Sequence, residues 1–414
     1  MPPEPPSTQA AAPPNLATPR FPLLDSLRGV AALSVFGAHL VLYLFAVGGV
    51  DAGPLLTRLD PGVAVFLLLS SFLLYRPFVQ ARFDGTPPPA VLPFAARRAL
   101  RIAPVYWVSL PLVALWLGEH DVFSAKGIVT YFGFAQIYQA HTIAGGIGQA
   151  WTICVEVTFY AMLPVWAWAL RNARHRSTRA FVVTEFGALA AIFLFSVIWK
   201  AVTFHAGGVN QGIGPVDVTP ALFTLPAYLD SFAFGMALAV VSVVLAGRPD
   251  QPRVVQVVDR HPWVAWAAAA VLWWLSGIGG GTYKVSSVGF FILHQELNVL
   301  VAVGLFLPAI FGDWRRGWVR RLLASRVLVW IATFSYGFYL WHLAIMRKLQ
   351  EHGWGDSPVA FSLVSFAASL ALGAATYYLV GRHFIALGRR LPRGHGRERS
   401  ASIAEPATAA RRSA

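Results

Sequence analysis

Long apolar runs, separated by short basic or glycine-containing stretches, recur along the chain from residue 27 to residue 380. The runs cover 27–47, 62–79, 102–117, 151–170, 180–199, 221–245, 263–278, 288–311, 327–346 and 358–380. Most are near the roughly 20 residues that an α-helix needs to cross a bilayer. A helix also satisfies its own backbone groups where no water can do so. The pattern therefore predicts an all-α, polytopic integral membrane helix bundle of about ten transmembrane helices. One further run, Ile128 to Ala140, is apolar but too short to cross, and reads as a re-entrant or half helix.

Composition narrows the class. Of 414 residues, 56% are hydrophobic and 13% charged, with a mean hydropathy of +0.57. That is too apolar for an ordinary soluble domain. Net charge is +14. The basic residues lie in short loops and in the tail, so the charge reads as membrane topology and not as a nucleic-acid surface. With the N-terminus in the cytoplasm and ten spans threaded, six of the 33 Lys and Arg fall outside: Arg58, Lys126, Lys200, Lys284, Arg347 and Lys348. This orientation puts both termini inside, in the inner (plasma) membrane as a multi-pass protein. Residues 1–20 are Pro- and Ala-rich and predict a disordered cytoplasmic segment, with no signal peptide visible. Residues 21–385 make the transmembrane domain, and residues 386–414 a basic disordered tail. The single cysteine, Cys154, excludes an internal disulfide and a multi-cysteine metal site, and no metal is expected.

The richest stretch is Leu23 to Leu40, LLDSLRGVAALSVFGAHL. Arg28 and His39 lie about three helical turns apart on one face, ~16 Å along the axis. Asp25 precedes Arg28 by three residues and can pair with it. One polar stripe then runs from a membrane surface to mid-depth. Ionisable residues at that depth mark function by default, although Asp25 and Arg28 could instead anchor the helix end and His39 could be a packing histidine.

RRALRIAPVYW puts Arg97, Arg98 and Arg101 at the cytoplasmic mouth of the third run. Guanidinium forks suit phosphate oxygens, so with Arg28 on the same side they point to a polyanionic ligand; positive-inside anchoring is the alternative. WTICVEVTFY carries Trp151, Glu156 and Tyr160. Glu156 is either a carboxylate capped by aromatic donors or a partner that orients an imidazole. SYGFYLWH brings Tyr336, Tyr339 and His342 toward the same membrane level, where an aromatic belt is the alternative for the tyrosines. Glu185, Asp230, His294 and Glu296 are further membrane-level ionisables, expected to face the bundle interior. No Gly-rich phosphate loop, G-x-S-x-G elbow or H-E-x-x-H is present.

Taken in order, these blocks resemble the membrane acyltransferase-3 family, the O-acetylase and O-acyltransferase group. The resemblance runs from about Phe21 to Ile385. LDSLRGVAALSVFGAH is similar to the family's first-helix motif, an Arg and a His with ten residues between them, here Arg28 and His39. GVAVFLLLSSFLL is similar to its second helix, with Ser71 where Gly is usual and Ala64 where Asp is common. One block departs: where the family closes on Glu-Arg-Pro, this chain has Gly381 before Arg382.

The resemblance implies transfer of an acyl group, often acetyl, from cytoplasmic acyl-CoA as co-substrate, with no bound cofactor. The acceptor implied is a hydroxyl of a carbohydrate, cell-envelope glycan, glycolipid or small natural product. On that expectation Arg97, Arg98 and Arg101 bind the donor with Arg28. His39 is general base or acyl carrier, Glu156 orients it, and Asp25, Trp151, Tyr160, Tyr336, Tyr339 and His342 line the substrate pocket. The alternative of another class is a transporter or flippase of a lipid-linked or anionic solute. The absence of a visible internal repeat weighs against it.

Overall fold

The computed structural model describes residues 21–48, 56, 58–171, 173, 177–207, 219–278, 287–354 and 357–391. The predicted N-terminal segment and most of the predicted tail lie outside these residues. So do parts of the loops at 49–57, 172–176, 208–218 and 279–286, including Lys284.

The long helices are α1 (Leu24–Gly48), α2 (Pro61–Asp84), α3 (Val91–Leu117), α4 (Trp151–Ala169), α5 (Thr178–Gly207) and α6 (Leu229–Val244). After the short α7 (Arg253–Arg260) come α8 (Pro262–Ser276) and α9 (Val288–Ile310), then the short α10 (Trp318–Leu323). The chain closes with α11 (Arg326–Glu351), α12 (Pro358–Thr376) and α13 (Arg382–Arg390). Among the described residues there is no β-strand, and nine helical segments are long and apolar enough to cross a membrane. The tenth predicted span is α8, apolar but short. The protein is a polytopic helical membrane bundle.

Helix α2 forms the centre because it is apolar on every side, as a helix surrounded by neighbours must be. It packs on α1, α6 and α9. Without water to drive apolar surfaces together, helices in a bilayer associate through close fit, and small residues allow it. A Cβ on Gly235 would collide with Ser71 Oγ and lie 3.0 Å from Leu68 Cα, so α2 and α6 meet almost backbone to backbone. Gly337 and Gly373 do the same between α11 and α12.

Two predicted elements change shape. The run at 128–140 is not a half helix. A wide turn over Ile128–Phe132 ends at Gly133, Phe134 takes a left-handed φ of 58°, and a 3-10 turn follows at Gln136–Tyr138. The Tyr106 hydroxyl fixes this layer, lying 3.1 Å from Tyr131 O and 3.0 Å from Gln136 Oε1. Helix α3 starts eleven residues before the predicted apolar run, so its arginines are helical and held in register. Helix α13 runs on past residue 385 through Arg390, and its Gly388 rests against Arg97 and Leu100 of α3.

The other membrane-level ionisables are all paired. Glu185 receives Arg82 and the Tyr75 hydroxyl (2.6 Å). Lys200, fully buried, bridges Asp230 and Glu296. Leaving any one of these charges alone in so dry a site would cost about 3–5 kcal/mol.

Candidate functional site

Two chemically different cavities open on opposite faces of the bundle. The first lies on the basic face, cytoplasmic by the charge rule. It is a cleft of about 1100 Å³ between α1, α2, α3, α4, α11 and the α12–α13 junction. Arg28, Arg98 and Arg101 line it, with Glu156, Tyr160, Tyr336 and Tyr339. Arg28 pairs with the exposed Asp25 one turn away, as its spacing predicts. The Nε of Arg98 is buried and has no hydrogen-bond partner. Arg97 is not among the lining residues, and its Cα lies against Gly388 of α13.

Glu156 accepts hydrogen bonds from Ser70 Oγ (2.8 Å) and the Tyr160 hydroxyl (2.7 Å). It does not contact His39, so the expected Glu–His pairing gives way to the aromatic cap. Glu156 is the single acid among the lining residues. Gly381, where the resemblance expects a Glu, also lines the cleft. The floor is closed by Tyr339 and Thr152, whose hydroxyls lie 2.6 Å apart. The cleft also meets a break in α11 at Phe334, where φ and ψ leave helical values (−116°, 15°).

His39 borders a separate depression on the opposite face, beside Tyr43, Gln149 and Trp151. Its Nδ1 lies 2.9 Å from Nε2 of the fully buried His342, and the two rings stack at 5.1 Å. The Nδ1 of His342 lies 2.8 Å from the Tyr339 carbonyl oxygen. A carbonyl only accepts, so His342 Nδ1 carries the proton and, in the neutral ring, Nε2 presents a lone pair. His39 Nδ1–H donates to that lone pair, which leaves Nε2 of His39 as the basic nitrogen. One backbone carbonyl thereby sets the tautomer of both rings.

Gln149 holds the same carbonyl, donating Nε2–H to Tyr339 O (2.6 Å) and Leu340 O (2.9 Å). The Tyr339 hydroxyl donates to Gln149 O (2.8 Å). Gln149, Thr152 and Tyr339 are thus the wall between the arginine cleft and the His39 depression. Beyond Trp151 lies a further cavity on this face, of about 850 Å³.

An acyltransferase domain profile, that of the acyltransferase-3 family, matches residues 21–378. The chain belongs to the acyltransferase-3 family. The acyltransferase is 22% identical to Nodulation protein 10 of Rhizobium leguminosarum bv. viciae over 315 residues, covering 71% of this chain and 74% of that protein. It is 24% identical to Acyltransferase MdmB of Streptomyces mycarofaciens over 395 residues, 90% of this chain and 94% of that protein. A Staphylococcus aureus (strain COL) protein whose name includes O-acetyltransferase shares 21% over 387 residues, 88% of this chain. The acyltransferase spans only 57% of that longer relative. No solved structure matches. The acyltransferase is a multi-pass membrane O-acyltransferase, which sets the transporter alternative aside.

The predicted site residues of the acyltransferase therefore fall into groups. Arg28, Arg98, Arg101, Glu156, Tyr160, Tyr336 and Tyr339 share the cleft. His39 and Trp151 face the opposite side. His342 lines neither cavity but holds His39. Asp25 stays at the rim, paired to Arg28. Sequence reading missed Ser70, Gln149 and Thr152. Ser70 sits beside Ser71 in an apolar run, and Gln149 and Thr152 flank Trp151, with no spacing to set any of them apart. Among the described residues no three His, Cys, Asp or Glu side chains converge as metal ligands.

Proposed function

We propose that the protein transfers an acyl group, acetyl in the simplest case, from acyl-CoA to an acceptor hydroxyl, in the inner membrane. The observation that carries this is the fixed His39–His342–Tyr339 carbonyl chain beside a cleft lined by three arginines. Arg28, Arg98 and Arg101 take the phosphates of the donor at the basic face, where charge-assisted forks onto phosphate are strong. The pantetheine arm follows the cleft toward Thr152 and Tyr339. Swinging the Tyr339 ring out of its hydrogen bonds joins the cleft to His39.

His39 Nε2 takes the proton of the acceptor hydroxyl as its oxygen attacks the thioester carbonyl. The C–S bond breaks, the CoA thiolate leaves, and the imidazolium returns the proton to sulfur. The products are an ester and free CoA. A thioester already carries a good leaving group, so positioning and base catalysis suffice for the step. His342 spreads the positive charge and keeps Nε2 aimed outward. Glu156 balances the guanidinium charges of the cleft.

The test is His39→Ala in membranes supplied with labelled acetyl-CoA. Transfer to the endogenous acceptor should fall by about 10²–10⁴-fold while acetyl-CoA still binds. Transfer at the wild-type rate refutes the role of His39.

A further inference from the structure

The cavity beyond Trp151 takes no part in the steps above, and its polar groups are unusual for a membrane bundle. Asp60 and Asn298 line it, beside the rings of Trp151, Tyr228 and Phe290, with Arg58 and His294 bonded to each other in the same wall. Asn298 donates Nδ2–H to Asp60 Oδ2 (2.7 Å), which fixes the amide orientation. That leaves Asn298 Oδ1 and Asp60 Oδ1, both buried and both without a hydrogen-bond partner. Asn298 is only 7% exposed. On the other side of Trp151, Gln149 Oε1 is likewise buried and unpartnered, in the depression that His39 borders. Buried acceptors are costly unless a donor meets them. All three of these are oxygens, so what meets them must bring O–H or N–H groups. Flat aromatic faces beside them suit the C–H face of a saturated ring.

We propose that this opposite-face cavity is a ligand site for a polyhydroxylated ring, held by Asp60 and Asn298 and laid against Trp151 and Tyr228. The ring reaches past Trp151 to offer one hydroxyl to Gln149 Oε1 and His39 Nε2. Resting on the acyl-transfer reading above, this makes it the acceptor site, filled from the face opposite the donor. Asp60 and Asn298 then select the acceptor without touching the reacting atoms.

The experiment uses full-length protein in nanodiscs and saturation-transfer NMR. The probes are methyl glycosides of glucose, mannose, galactose and N-acetylglucosamine, with acetyl-CoA binding read on the same samples. At least one glycoside should bind the wild type, and Asn298→Leu should weaken it by about tenfold or more with acetyl-CoA binding intact. If that variant loses acetyl-CoA binding as well, Trp151→Leu, which removes a ring and no buried polar group, decides the location by the same criterion. No glycoside bound by the wild type, or equal binding by an intact variant, overturns the proposal. Failure of the wild type to bind acetyl-CoA strikes the donor reading instead and leaves the glycoside result to stand or fall by itself.

Discussion

The arginine cleft and the opposite-face cavity share α2 and α4, and Val63 and Leu67 border both, yet the buried hydrogen-bonding groups they leave unmet differ. The cleft presents cations, and its unpartnered buried group is a donor, Arg98 Nε. The other side carries Arg58 and His294, bonded to each other, and Asp60, Asn298 and Gln149 each hold an unpartnered acceptor there. A phosphate-bearing donor is complementary to the first and a hydroxyl-bearing ring to the second. The imidazole sits on the seam between the two sides.

The sharpest way to break this picture is at the seam. His342→Ala should lower the transfer rate by about 10–100-fold, the usual cost of losing the group that orients an imidazole, with the donor KM unchanged. His342→Gln, which can still accept from His39 Nδ1, should recover part of that loss. A donor KM that rises with the rate loss would mean His342 only packs the bundle.

Next come the cleft arginines. Arg98→Ala and Arg101→Ala should each raise the donor KM by about tenfold and weaken its salt dependence, as expected for lost phosphate contacts. Arg97→Ala should move it less, because Arg97 is not among the residues that line the cleft. An unchanged donor KM in the Arg98 and Arg101 variants would return them to topological anchoring.

The smallest effect is expected at Gly381. A Cβ there would lie 3.2 Å from Val105 Cγ2, which a small shift absorbs. Gly381→Glu would bring a second acid to a cleft that has only Glu156. The donor KM should rise roughly two- to threefold by charge competition in a partly solvated site. A fall in KM would show that the carboxylate organises the arginines.

Much of this was legible before the fold was known. The apolar runs give the spans, because a bilayer demands length and closed backbone bonding. Asp25 and Arg28 are local partners, and three residues of helix suffice to predict their pair. Glu156 capped by Tyr160 is likewise a one-turn contact. His39 and His342 are another matter: they lie 303 residues apart, and only the packing of α11 on α1 brings them together. Gln149 is hidden for the same reason. Its partners are backbone carbonyls of α11, and a carbonyl leaves no trace in a sequence. Of the re-entrant or half helix expected at 128–140, the half-helix alternative failed because apolar composition does not report a left-handed residue such as Phe134.

The two-sided arrangement is tested most directly by sealed vesicles in which acetyl-CoA, which does not cross the bilayer, is presented to one face only. Inside-out vesicles expose the face carrying Arg28, Arg98 and Arg101, and right-side-out vesicles expose the face of the His39 depression. Labelled acetyl should reach the acceptor only when acetyl-CoA meets the arginine face. Transfer of equal rate from the opposite face would contradict the account.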